Sequence, residues 1–131
     1  MPIFYREGAR RCRAPELRLL HGLTDRISDH MEHEELYRQA HAFYAVLLRP
    51  LNNQLIMDLE VDSEHFLYTP YIPLPGTKNP FTLTAARLKN WMYDAVCQIE
   101  HRQFDDFYNK IVNDYRESAK RVDGYLHSLS R

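Results

Sequence analysis

Cysteine is scarce in this chain, and its two cysteines, Cys12 and Cys97, belong to no Cys-x-x-Cys motif or Cys/His cluster. The sequence therefore supports neither a disulfide framework nor a zinc site, and it favours a reduced, intracellular protein. No apolar run approaches the roughly 20 residues that span a bilayer. The first residues also lack the apolar segment of a secretory signal. We therefore expect a cytoplasmic protein with no membrane partner.

Charge of one sign does not dominate, because the net charge is only −1. Its distribution is nevertheless uneven: residues 1–26 carry +3, residues 27–70 carry −6 and residues 71–131 carry +2. An acidic middle between mildly basic ends argues against a uniformly basic nucleic-acid-binding protein.

Catalytic motifs are also lacking: the sequence contains no P-loop, no G-x-G-x-x-G, no nucleophile elbow and no H-E-x-x-H. His30, Glu34 and His41 fall on one face of a predicted helix, but Glu34 and His41 would lie about 10 Å apart along its axis. Only His30 and Glu34 could then share an ion. We therefore predict no metal, no cofactor and no enzymatic activity.

The last third of the chain has no proline after Pro80 and only one glycine, Gly124. Apolar residues recur there at helical spacing, which predicts one amphipathic helix over residues 104–129 with Ile111, Val122 and Leu126 buried. A second apolar stripe precedes it in the chain. The two stripes lie on different helical faces, and the change occurs around residues 100–103. Two helices, or one helix with a kink, are therefore expected.

The first half of the chain predicts two helices. Pro15 suits the first turn of one helix, and a stripe from Leu36 to Leu51 marks the other, which Pro50 should end at about Arg49. Residues 1–13 show no period, so they are expected to form a loose basic N-terminal arm.

The spacing of the apolar residues changes from a helical to an alternating pattern in the acidic middle of the chain. Residues 57–61 alternate apolar and acidic side chains, and residues 65–69 are rich in strand formers, which predicts an antiparallel hairpin. Residues 70–80 contain four prolines and Gly76, and they predict a stiff, irregular connection. The expected fold is a single, mainly α domain over residues 1–131. It has three to four helices, with the β-hairpin and the proline-rich loop inserted between the second and third helices.

Tyrosine is abundant, with nine residues, and tyrosine and arginine are enriched at protein interfaces. We therefore predict an adaptor, inhibitor or assembly subunit that binds another protein, or a second copy of itself. Tyr68, Tyr71 and Phe81 are the candidate anchors. An alternative is a nucleic-acid-binding accessory protein that uses four arginines of the N-terminal arm: Arg6, Arg10, Arg11 and Arg13.

A third interpretation concerns Arg121 and His127, whose spacing resembles the arginine–histidine motif of the HEPN-type helical ribonucleases. The resemblance implies that Arg121 would stabilise the scissile phosphate and that His127 would act as an acid or base. The pattern, an arginine and a histidine separated by four to six residues, also fits Arg26 and His33, so it alone does not select this family.

Overall fold

The computed structural model describes residues 2–68 and 84–129. Within these ranges, it leaves aside the side chains of residues 62–68, 121, 122, 125, 128 and 129. The described part is mainly α, as predicted. Its helices are α1 (Pro2–Arg11), α2 (Ala14–Asp25), α3 (His33–Leu48), α4 (Gln54–Tyr68), α5 (Ala85–Glu100) and α6 (Phe104–Leu129), with a short 3-10 helix at Arg49–Leu51.

The predicted hairpin is wrong, because residues 57–61 and 65–68 belong to α4 and the described residues contain no strand. The alternating pattern is also compatible with a helix. Ile56, Met57 and Glu60 share one helical face, which packs towards the core, while Leu55 and Leu59 face outward. Glu60, which we expected on the polar face of a strand, is buried. Thr69, the end of the second predicted strand, lies outside the described residues.

The predicted loose N-terminal arm is also wrong. Pro2–Arg11 form α1, and Tyr5, Gly8 and Ala9 are buried on its inner face. The described part therefore has more helices than the three to four expected. Two of the three buried residues are small, so the apolar periodicity that usually marks an amphipathic helix is weak here.

The two C-terminal helices are separate, and the predicted bounds of α6 agree with the structure. Thr84 caps α5, since its hydroxyl accepts a hydrogen bond from the Arg87 N–H at 3.2 Å. Arg102, with a φ of 57°, reverses the chain between the helices. Ile111 is fully buried as predicted, but Leu126 is 58% exposed, contrary to prediction. The side chain of Val122 lies outside the described residues.

The core lies between α1, α3, α5 and α6, with α2 packed on α3 and α5 and with α4 packed on α3. Phe43 packs edge-on against Trp91, with ring centroids 5.8 Å apart. The indole N–H of Trp91 donates a hydrogen bond to Asp114, which joins α5 to α6. His21 of α2 contacts Glu100 of α5. No helix in the described ranges is both long and apolar enough to cross a membrane.

Helix α1 crosses α3 at very close range. A Cβ atom added at Gly8 would lie 1.7 Å from the main-chain oxygen of Leu47 and 2.8 Å from its carbonyl carbon. Only glycine allows this approach, because every other residue carries a Cβ. The crossing holds α1 against the C-terminal end of α3 and places Tyr5 next to the middle of α4.

Candidate functional site

The most unusual group of the described core is the carboxylate of Glu60, which is only 6% exposed. The Tyr5 hydroxyl donates a hydrogen bond to Oε2 of Glu60. Nδ1 of His41 lies 3.5 Å from Oε1 of the same carboxylate. A buried charge is costly unless it is paired and hydrogen-bonded. These contacts stabilise Glu60 inside the protein and join α1, α3 and α4.

Two further tyrosines interact with the Tyr5 side chain. The rings of Tyr5 and Tyr44 have centroids 4.5 Å apart. Tyr115 of α6 interacts electrostatically with Tyr5 and Glu60. Burial, with further contributions from Tyr115 and Glu60, raises the pKa of the Tyr5 phenol. Partial burial likewise raises the pKa of Tyr115, which is still 36% exposed. Both phenols therefore stay protonated at neutral pH, so they can act as hydrogen-bond donors in a cluster that connects four helices.

This polar cluster, formed by Tyr5, His41, Glu60 and Tyr115, is suited to holding helices in place. Tyr5 is 2% exposed, and the carboxylate it contacts is almost as deeply buried. A substrate could reach neither group without displacing α1 or α4. The main consequence is geometric: Glu60 fixes which face of α4 points inward, and therefore which face points to solvent.

The outward face of α4 carries large apolar side chains. Leu55 is 68% exposed and Leu59, one turn later, is 44% exposed. We call these two residues the α4 ridge. Val61 is exposed as well, at 47%. The exposed Asp58 lies beside the ridge and accepts a hydrogen bond from Gln54 at 2.9 Å. An apolar pair one turn apart is the arrangement with which helices pack against other helices.

The protein-binding residues predicted from the sequence fall at the edge of the described structure or beyond it. Tyr68 is the last residue of α4, and its side chain lies outside the described set. Tyr71 and Phe81 lie outside the described residues. The α4 ridge therefore belongs to the helix that leads directly into the predicted binding segment.

The four N-terminal arginines are distributed between α1 and the start of α2. Arg6 lies 3.6 Å from Asp105, and its guanidinium group stacks on the Tyr108 ring at 4.5 Å from the centroid. Arg10 and Arg11 both contact Glu7, at 3.9 Å and 3.1 Å. Arg13 is exposed at the N-terminus of α2. Arg6 is thus engaged within the protein, whereas the other three have largely exposed side chains.

The residues of the ribonuclease-like spacing both lie in α6. His127 is exposed, and the side chain of Arg121 lies outside the described set. Gly124, between them, is helical and has open space around it. Within the described ranges, no group of three or more His, Cys, Asp or Glu side chains is placed to hold a metal ion. His30 precedes α3 while Glu34 lies within it, so the expected single helical face is not formed.

The polar cluster was missed at the sequence level because Glu60 was assigned to a strand. One signal was available: Glu60 follows Ile56 by four residues and Met57 by three, so a helix places it on their apolar face. An acid at such a position needs buried partners.

Comparisons of this chain with protein-family models, with curated proteins and with solved structures give no match.

Proposed function

We propose that this chain is a non-enzymatic interaction protein that binds another protein through the α4 ridge. The observation that carries the proposal is the exposure of Leu55 and Leu59 on a helix whose opposite face is fixed by the buried Glu60. A helix that is already formed before binding loses less conformational entropy than a segment that must fold on its partner. The predicted anchors Tyr68, Tyr71 and Phe81 come later in the chain, and they remain part of the proposal.

Burial of the ridge by a partner would contribute favourably to binding. Complete burial of a leucine side chain contributes roughly 1.5–3 kcal/mol, and Leu55 is still two-thirds exposed. A few such residues supply most of the energy of many protein interfaces.

Site-specific photo-cross-linking tests the proposal in the cells from which the protein comes. A benzophenone amino acid at position 55 should give a discrete adduct with another protein. The same group at position 19 is the control, because Leu19 of α2 is also exposed, at 45%, but lies on a different helix. A discrete adduct from position 55 and none from position 19 is the expected result.

Other outcomes would change the interpretation. The absence of any adduct from position 55 or 59, or equal labelling from position 19, would refute binding through α4. Adducts with nucleic acid at Arg10 or Arg11 would instead favour the alternative based on the N-terminal arginines. RNA cleavage by the purified protein, abolished by Arg121→Ala or His127→Ala, would favour the ribonuclease interpretation.

A further inference from the structure

The charge of α4 is all of one sign. Its sequence, QLIMDLEVDSEHFLY, contains four acidic residues and neither lysine nor arginine. Glu60 is buried and paired inside the protein, whereas Asp58 is exposed next to the α4 ridge. A partner that covers the ridge must therefore approach an apolar strip on an acidic helix. Electrostatic complementarity at such a surface favours a positively charged partner.

We infer that the α4 ridge binds a cationic amphipathic helix of another protein; this inference rests on the proposed function. Leu55 and Leu59 are separated by about 6 Å along the axis of α4, which matches the spacing of apolar side chains at i and i+4 on a partner helix. Lysine or arginine residues that flank those apolar positions would lie next to Asp58. The apolar contacts would supply affinity, and the charges would supply selectivity and speed of association.

The same charges disfavour a second copy of this chain as the partner. An antiparallel, twofold pairing of two ridges would place Leu55 opposite Leu59 of the other copy. It would also bring the two Asp58 side chains to the same edge of the interface, between two helices that carry only acidic charges. Like charges brought together in this way oppose association.

Two model peptides test the chemistry of the partner directly. Both are helices of about five turns with leucines at the same i and i+4 positions; one carries lysine at its polar positions and the other carries glutamate. Fluorescence anisotropy of the labelled peptides measures their binding to the full chain. We expect the leucine/lysine peptide to bind at least about 10-fold more tightly than the leucine/glutamate peptide. The difference should shrink as salt is raised.

Variants show whether binding occurs at the ridge. Leu55→Ser combined with Leu59→Ser should abolish binding of the leucine/lysine peptide, and Asp58→Lys should weaken it by about 10-fold. Leu19→Ser is the matched control, since it removes an exposed leucine from α2 and should leave binding unchanged. Circular dichroism of each variant checks that the helices are retained.

The inference is overturned if the leucine/glutamate peptide binds as tightly as its lysine counterpart, or if Asp58→Lys has no effect. Sedimentation equilibrium that reveals a dimer dissociated by Leu55→Ser would instead identify a second copy as the occupant. The proposed function is tested separately by cross-linking. An adduct from position 55 to a neutral or acidic segment would refute the cationic partner while leaving protein binding supported, and the absence of an adduct would refute both.

Discussion

Replacing Gly8 with alanine tests the close crossing of α1 and α3. The added methyl group would overlap the Leu47 carbonyl oxygen, at 1.7 Å. That oxygen belongs to the main chain, so it cannot move aside by rotation of a side chain. Overpacking of this kind typically costs about 1–3 kcal/mol, and occasionally more. We expect a loss towards the upper end of this range, because α1 must shift away from α3 and take Tyr5 with it.

The expected loss is measured against two matched substitutions. Gly22→Ala and Gly124→Ala also replace helical glycines, but a Cβ at either position meets nothing within 4 Å. Alanine is favoured over glycine within helices by roughly 0.5–1 kcal/mol, so both controls should be as stable as the wild type or more stable. The difference between Gly8→Ala and the controls then isolates the cost of the clash.

Urea unfolding monitored by fluorescence of Trp91, the single tryptophan of the chain, gives the free energy of unfolding of each variant. Trp91 is a suitable probe because it is partly buried and hydrogen-bonded to Asp114. A Gly8→Ala protein as stable as the Gly124→Ala protein would refute the close crossing and the packed position of α1.

Three further predictions concern the core, the polar cluster and Cys12. Ile111→Ala should lower the free energy of unfolding by about 2–5 kcal/mol, because Ile111 is fully buried; Leu126→Ala, at an exposed position, should have little effect on the same urea curve. Tyr5→Phe removes the phenol that donates to the buried Glu60 and should cost about 1–3 kcal/mol, and an unchanged denaturation midpoint would contradict the buried contact. Burial, with a smaller contribution from Glu16, raises the pKa of Cys12 to about 12, so its alkylation at pH 8 should be much slower in the native protein than in urea. The thiol of Cys12 ionises near pH 8.5 in the unfolded chain but only near pH 12 in the folded protein. The free energy of unfolding should therefore fall as the pH rises from about 8.5 towards 12. Cys12→Ser should reduce this loss of stability.

The sequence predicted the C-terminal helices well because their signals are local. Residues 104–129 keep an apolar stripe without proline, and Thr84 supplies a standard N-cap. The apolar stripe of α6 does not indicate how far along α6 the neighbouring helices extend. Ile111 lies deep in the bundle, whereas Leu126 continues the same pattern and is nevertheless exposed. Burial depends on which helices lie alongside, and periodicity within one helix carries no such information.

The wrong predictions of a loose N-terminal arm and of a hairpin have a different cause. In α1, close packing is achieved by Gly8 and Ala9, whose small side chains give almost no hydrophobic signal. In α4, an acid occupies an inward position because Tyr5 and His41 supply its partners from distant parts of the chain. Both features depend on contacts between residues far apart in sequence. Local pattern analysis therefore predicted the helices with large apolar residues and missed the polar cluster.

The pairing of α1 with α6 also constrains how the chain folds as it is made. Arg6 contacts Asp105, so α1 packs against a helix, α6, that is synthesised much later. Until α6 is synthesised, α1 has only its contacts with earlier segments such as α3 and α4, and a helix as short as α1 is marginal by itself. Contacts between such distant segments slow folding, and they leave intermediates with exposed apolar surface. The nascent chain should therefore resist protease through α2 and α3 before it does so through α1, which becomes protected only after synthesis of α6.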